Sequence, residues 1–438
     1  SVHLAQTSAA ALQGEADVIF NKAATGDGKS LAAYLPGFIN PAFRIMGLYP
    51  TIELVEDQTR SQREWHDRFG LDADSRIDRL FGEELSRRVQ AAEKSSKFLE
   101  LLLAIEQTPI LLTNPDILHL ITHFQYRDPA YGNDRLPLAL AEFPDLWVFD
   151  EFHIFGPHQE AAVLNSMTLI RRTQADQRPR RFLFTSATPK PDFIHHLQQS
   201  GLKTVELEGS YASEARPGYR QVLQSVELEF VELKNTDALN WLTENAHPLK
   251  TFLEAENPGR GLIILNSVAQ AGRVARLLQR LLPGVLVREI SGRIDRQERS
   301  RTQAALRDSP QPVLVVATSA VEVGVDFRIH LLIFESSDSA TVIQRLGRLG
   351  RHPGFNQYKA FVLLSGRAPW VLPRLREHLK SEQKIERSDL QTAIADAFDA
   401  PREFREYRNR WGATQAQGML WKLGEGNVKV MQPVRDRM

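Results

Sequence analysis

The stretch that decides the fold opens with Asp17-Val18-Ile19-Phe20-Asn21, passes through Ala23-Ala24-Thr25-Gly26-Asp27-Gly28-Lys29-Ser30 and continues as Leu31-Ala32-Ala33-Tyr34-Leu35. The first segment is short and apolar, as a buried strand is, and the last reads as a helix that stops near Pro36-Gly37. A strand, a glycine-bearing turn and a Lys-Ser pair opening a helix form an arrangement that cradles phosphate groups. Backbone N–H groups along Thr25, Gly26, Asp27, Gly28, Lys29 and Ser30 point at the anion, and the helix dipole adds to the attraction. Lys29 is spaced to reach the outer phosphates and Ser30 to hold Mg²⁺ through its hydroxyl. Ala23 stands where the general pattern has its first glycine.

Working outward, Phe43 to Tyr49 reads as a second strand ended by Pro50-Thr51, with Thr51 as N-cap of a helix that runs through Ile52 to Gln58. On that charged helix His66-Asp67 has no accompanying His/Asp set and is expected at the surface. Leu85 to Glu106 has helical spacing. Pro109 to Thr113 is a third strand, closed by Asn114-Pro115-Asp116 and followed by a helix over Ile117 to His123. Asp128 to Pro144, rich in Pro, Gly and Asp, is expected as a loop-rich insertion. Leu146-Trp147-Val148-Phe149 is a continuous apolar strand that delivers Asp150-Glu151-Phe152-His153 at its end, where open parallel sheets place their ligand crevice. Paired carboxylates there suit metal and water chemistry: Asp150 for Mg²⁺, Glu151 to orient or deprotonate an attacking water. Arg181 to Thr185 is a fifth strand leading into Ser186-Ala187-Thr188, whose hydroxyls could bond the Asp150–His153 turn and sense its state.

A polar, Gly- and Pro-bearing segment, Glu208 to Gly218, reads as a linker, after which a second βα series begins. Val226, Leu228 and Phe230 alternate with glutamates, as in an edge strand. Strands follow at Gly261–Asn266, Val285–Ile290, Val313–Thr318 and Leu331–Phe334, with a helix over Val268–Leu282 and an Arg-rich helix after Ser291-Gly292-Arg293. Gln344-Arg345-Leu346-Gly347-Arg348-Leu349-Gly350-Arg351 is read as one helical face carrying Arg348 and Arg351. Its glycines cost about 1 kcal/mol each in a helix, an expense that argues for close approach to a partner surface. Beyond Pro373 the chain is charged and helical, with Trp411 and Trp421 late and no legible motif. The expected division is a first domain over 1–209, a linker at 210–222, a second domain over 223–375 and a helical segment over 376–438. Strands alternating with helices call for parallel α/β sheets.

The 438 residues suffice for about two or three domains. Lys+Arg and Asp+Glu are equal at 54 each, so nucleic-acid binding has to come from local patches rather than a global basic field. Cys is absent, which excludes disulfides and thiolate metal sites and fits a reducing cytoplasm. No apolar run spans a bilayer, so no membrane partner is expected, and the first residues do not read as a signal peptide.

Taken together and in order, these motifs resemble the superfamily 2 helicases of the DExH type. Ala23–Ser30 matches motif I, Pro50-Thr51 with Asp57-Gln58 motif Ia, Thr113–Asp116 motif Ib and Asp150–His153 motif II. Ser186–Thr188 matches motif III, Thr318–Asp326 motif V and Gln344–Arg351 motif VI. The wording TNPD, VFDEFHIF, SAVEVGVDF and QRLGRLGRH is most similar to the CRISPR-associated helicases of type I interference. The resemblance implies two tandem RecA-like domains with ATP and Mg²⁺ between them, and single-stranded DNA lying across both. It further implies 3′-to-5′ translocation in partnership with a Cascade-type surveillance complex.

The chain begins too close to the phosphate loop for the HD nuclease of many members. The expectation is therefore a helicase-only form of the type I-D kind, with the HD nuclease a separate subunit and no nuclease activity in this chain. By the same resemblance Gln6 reads adenine, Gly324 and Asp326 bind nucleotide, and Gln344, Arg348 and Arg351 serve catalysis, the arginines as fingers on the phosphate. Thr113, Ser291, Arg293 and Thr318 contact the nucleic-acid backbone, and His153, Ser186 and Thr188 couple the two sites. A DExH RNA helicase, an ATP-gated clamp that does not step and a metabolic P-loop kinase are the alternatives.

Overall fold

The computed structural model describes residues 13, 15–23, 28–92, 95–132, 135–173, 179–186, 191–209, 223–291, 296–319, 328–399, 406–412 and 418. The chain forms two compact units, Ser1–Tyr211 with Arg402–Met438, and Ala212–Pro401.

In the first unit β1 (Val18–Asn21), α1 (Lys29–Ile39), β2 (Ile45–Leu48), α2 (Ile52–Arg68), β3 (Ile77–Leu80), α3 (Gly82–Ala91) and α4 (Lys97–Gln107) follow one another. Then come β4 (Ile110–Thr113), α5 (Pro115–Thr122), α6 (Arg135–Glu142), β5 (Leu146–Phe149), α7 (Pro157–Thr173), β6 (Arg181–Thr185), α8 (Pro191–Gln199) and β7 (Thr204–Leu207). The seven strands form one parallel sheet in the order β3-β4-β2-β5-β6-β1-β7. A parallel sheet carries helices on both faces, so its inner strands are apolar on both sides, and every residue of β1, β2, β4 and β5 is buried. Val18, Phe20, Leu48, Trp147 and Phe149 enter one core, while Ile19, Ile45, Ile110, Val148 and Leu183 enter the other.

The second unit contains β8 (Glu227–Leu233), α9 (Ala238–Glu244), α10 (Ala246–Glu254), β9 (Arg260–Ile264), α11 (Val268–Leu281), β10 (Leu286–Ile290) and α12 (Arg296–Asp308). It continues with β11 (Val313–Ala317), β12 (Leu331–Glu335), α13 (Ser339–Leu346), β13 (Lys359–Ser365), α14 (Val371–His378) and α15 (Arg387–Ala397). Its six strands are again all parallel, ordered β10-β11-β9-β12-β13-β8, with the Glu-alternating β8 at one edge. The α/β class with two parallel sheets is as the motif order implies.

Three expectations change. Asp128–Pro144 is not all loop: α6 lies within it and buries Leu136 to Ala141. Pro137 falls in the first turn, where a missing N–H breaks no intrahelical bond. His66 is not a surface residue. It continues the buried stripe Val55, Thr59, Gln62 of α2 and is fully buried, with Nδ1 bonded to Gln62 O at 2.8 Å, while Asp67 faces solvent. Finally, Arg348 and Arg351 do not share a helical face. α13 ends at Leu346 with Gly347 as its C-cap, and the arginines ride on the turn that follows.

Candidate nucleotide and nucleic-acid sites

In the first unit the chemistry collects at the carboxyl ends of β1, β5 and β6. Gly28 takes φ 81° ahead of α1, a conformation open to glycine, and the space where a Cβ would sit is empty within 4 Å. Lys29, at the start of α1, is buried, and its Nζ donates to Ala23 O at 2.9 Å across the phosphate loop. Asn21 shapes the entry to the loop by accepting from Ala23 N at 3.1 Å. Ser30 is half-buried one residue further on.

Asp150 is held from three sides. Its N–H donates to Leu48 O at 3.0 Å, its Oδ1 accepts from Glu151 N at 3.0 Å, and the same oxygen accepts from the Thr185 hydroxyl. Burial and then the neighbouring Glu151 charge raise its pKa to about 6, against the pull of Thr185 and the Lys29 charge. A carboxylate kept uncomfortable in this way is primed for a positive partner. Ser30 and Asp150 offer one hydroxyl and one carboxylate, the sparse set of hard oxygens that Mg²⁺ accepts beside substrate phosphates. Among the described residues no group of three or more His, Cys, Asp or Glu could hold a metal alone.

Glu151 adopts φ 48°, ψ 42°, the left-handed region that non-glycine residues enter only when packing enforces it. The enforcement lies beneath it. Phe152 packs on Phe184 and Phe193 with ring centroids 4.7 and 4.6 Å away, and Phe184 stacks on Phe149 and Phe20. This aromatic floor fixes Phe152, the residue directly after Glu151, whose own side chain is half-buried. His153 lies 3.4 Å from Glu151 Oε2, and its Nδ1 is 3.1 Å from Ser186 Oγ, while Ser186 N donates to Asn21 O. The acid turn, the end of β6 and the entry to the phosphate loop are thus one connected network.

Beside it, α2, α3 and α5 all start at the carboxyl ends of β2, β3 and β4. Thr51 and Asn114 cap α2 and α5 through side-chain oxygens. Between these starts lies a groove of about 620 Å³ lined by Ile52, Gly82, Ser86, Arg87, Asn114 and Asp116 among others. Clustered helix N-termini favour phosphate groups. Thr113 is buried beside the groove, its hydroxyl donating to Leu80 O at 2.7 Å.

In the second unit Arg345 is the buried member of its motif. It donates to Asn266 Oδ1 at 3.1 Å and Glu335 O at 2.6 Å and lies over the Phe334 ring. Asn266 in turn donates to Glu335 Oε2 and Ser336 O, so the ends of β9 and β12 are pinned through one guanidinium. Gln344, Arg348 and Arg351 are half-buried, and Arg351 Nε donates to Gly347 O. Gly350 has φ 76°, and a Cβ there would lie 3.1 Å from Gln224 O, whose own N–H donates to Gly350 O. The close approach that this glycine permits is therefore to the chain entering β8. Ser291 Oγ donates to Glu289, and Thr318 N donates to Ile290 O, at the ends of β10 and β11. Gln6, Thr25, Gly26, Asp27, Thr188, Arg293, Gly324 and Asp326 lie outside the described residues.

Sequence reading missed Thr185, Asn21, Asn266 and Arg345. Arg345 stood inside a recognised motif; the others carried no signal beyond their place at strand ends.

Residues 4–197 match the DEAD/DEAH box helicase family and residues 257–354 the C-terminal part of the CRISPR-associated nuclease/helicase Cas3. A curated CRISPR-associated nuclease/helicase Cas3 from Methanothermobacter thermautotrophicus is 23% identical over 251 residues, covering 56% of this chain and 28% of that protein. Among solved structures, T. fusca Cas3 superposes with a TM-score of 0.68 at 17% identity, covering 98% of this chain and 58% of that one. Mycobacterium smegmatis helicase Lhr, bound to ssDNA and AMP-PNP, superposes with a TM-score of 0.62 at 18% identity, covering 97% and 53%. The chain thus spans little more than half of these solved chains and 28% of the curated relative. Both solved structures share its fold. No helix among the described residues is long and apolar enough to cross a membrane. The two matched stretches thus identify a DEAD/DEAH box helicase domain over residues 4–197 and a Cas3-like C-terminal domain over residues 257–354.

Proposed function

We propose that the chain is an ATP-driven motor that moves 3′ to 5′ on single-stranded DNA and serves as the helicase of type I CRISPR interference. In this reading it acts with a Cascade-type surveillance complex and an HD nuclease held on a separate subunit. The observation that carries the enzymatic part is the Lys29–Asp150–Glu151 constellation at the carboxyl ends of β1 and β5, tied through His153 to Ser186.

The residues act as follows. Lys29 leaves Ala23 O for the outer phosphate oxygens of ATP, and the turn from Thr25 to Ser30 supplies backbone N–H donors. Gln6 reads the adenine, and Gly324 and Asp326 add nucleotide contacts. Ser30 and Asp150 hold Mg²⁺, which when bound offsets polyphosphate charge. Glu151 orients the attacking water and takes its proton. Arg348 and Arg351 stabilise charge on the transferring phosphoryl group, with Gln344 beside them. When the phosphate leaves, the Glu151–His153–Ser186 line reports the change toward Thr188 and the strand ends. The groove at the starts of α2, α3 and α5, together with Thr113, Ser291, Arg293 and Thr318, grips the backbone of the strand rather than its bases.

ATP hydrolysis measured with single-stranded DNA, with RNA and with neither tests this reading. Stimulation by DNA alone is expected. Equal stimulation by RNA points to the RNA helicase alternative, and stimulated hydrolysis without strand displacement to the clamp.

A further inference from the structure

One pair of side chains joins the nucleotide end of the first unit to the strand ends beside the groove, and nothing above uses it. Tyr34, on α1, and Tyr49, just past β2, are both fully buried, with their hydroxyl oxygens 2.7 Å apart. Tyr34 lies four residues after Ser30, on the same helical face. Tyr49 follows Leu48, whose carbonyl accepts from Asp150 N, and its own N–H donates to Thr113 O at 3.0 Å. It also immediately precedes Pro50-Thr51, the entry to α2. Gly47 makes the room: a Cβ there would come 2.0 Å from Tyr34 Oη and 3.1 Å from Tyr49 Cε2.

The pair has a built-in choice. Burial, reinforced by the Asp150 charge nearby, keeps both phenols neutral, so each retains its hydrogen. A bond between two hydroxyls uses one hydrogen, and the second has no acceptor among the described residues. Tyr34 donates to Tyr49, or the reverse, and the surplus hydrogen then points from one end of the pair or the other. The helix opened by Lys29 and Ser30 carries one hydroxyl and the end of β2, bonded to β4, carries the other, so a shift of either element favours one arrangement over the other. That is a two-state element on which both sites act, the physical requirement for coupling.

We propose that Tyr34 and Tyr49 form a positioning pair that couples occupancy of the phosphate loop to the nucleic-acid grip at the ends of β2 and β4, an inference that rests on the helicase reading above. Neither residue touches substrate, and the pair acts through α1 and the start of α2. The test is a titration of a fluorescent, non-hydrolysable ATP analogue with and without a single-stranded oligodeoxynucleotide, on wild type and on Tyr34→Phe, Tyr49→Phe and the double variant. Phenylalanine keeps the ring and nearly the volume, so folding survives loss of the oxygen.

In the wild type, DNA is expected to tighten analogue binding by about tenfold, within the usual range of coupling. In each single variant the ratio falls to about twofold or less, while affinity without DNA stays within about threefold. The double variant is no worse than either single one. A merely structural role would lower the unfolding midpoint and leave the ratio alone. Full ratios retained in both single variants overturn the relay alone. A tenfold loss of DNA-free analogue affinity also overturns it, since the pair would then be part of the nucleotide site. No DNA effect in the wild type overturns the relay and the helicase reading together.

Discussion

The two units furnish the same end of the same kind of sheet in opposite ways. At the strand ends of the first, one buried charge is a carboxylate, Asp150, whose environment works against its ionisation. At those of the second it is a guanidinium, Arg345, which finds an amide oxygen, a backbone carbonyl and an aromatic ring waiting for it. The first is an unbalanced site that a cation and a polyphosphate would complete. The second is a finished strut that holds Asn266 and Glu335 in place and leaves Arg348 and Arg351 on a separate turn. Asp150 is thus poised for a ligand, while Arg345 is structural.

The comparison breaks most visibly at the half-buried arginines. Arg351→Ala is expected to lower DNA-stimulated ATP turnover by about a thousandfold or more, the scale of an arginine finger. Lys29→Ala is expected to abolish turnover by removing the phosphate contact itself. Steady-state phosphate release measures both, and full DNA-stimulated activity in either variant would sink the assignment.

Next in size, Arg345→Met should destabilise the chain by about 2 kcal/mol, because Asn266 Oδ1 and Glu335 O both lose a buried donor. Denaturant unfolding measures this, and an unchanged midpoint would mean that the strut carries no load.

The matching change in the first unit should have the opposite sign. Asp150 ionises near pH 6 in the folded chain, above the roughly 3.9 of an unfolded aspartate, so its contribution to stability is fully present below about pH 4 and is lost as pH rises through 6. Asp150→Asn removes that loss. It should stabilise the ligand-free protein by about 1–2 kcal/mol at pH 8 and by almost nothing at pH 4, while eliminating hydrolysis. A variant less stable than wild type at pH 8 would show that the carboxylate is already satisfied. Smallest of all, Asp67→Ala, on the solvent face of α2, should change stability by no more than about 0.5 kcal/mol in thermal unfolding.

The parts of the fold legible in the sequence were those where burial on both faces leaves an uninterrupted apolar run. LWVF and VLVVA can hardly be anything but inner strands of a parallel sheet. β3, with sequence IDRL, sits at the sheet edge with only Ile77 and Leu80 buried, and its Asp78 is paired with Arg88, so its apolar pattern is too diluted to read as a strand. α6 was hidden by Pro137 and by the turn residues around it. The helix expected across the arginine motif fails because Gly347 and Gly350 end it, a reading that periodicity alone does not supply. At the site, Lys29, Asp150, Glu151 and His153 were legible because each closes or opens an element in a fixed spacing. Thr185 and the Tyr34–Tyr49 pair were not, since their meaning arises only when separate strands are laid side by side.

The bond between Gln224 and Gly350 has a mechanical corollary. The segment that leads into β8 is stitched to the arginine-bearing turn before it reaches the sheet, backbone against backbone, with no room for a side chain between them. Tension on that lead-in is delivered first to the turn and only afterwards to the core. The guanidiniums therefore hang on a tether and can be tugged by the path of the polypeptide itself, a linkage that Gly350→Val would prise open.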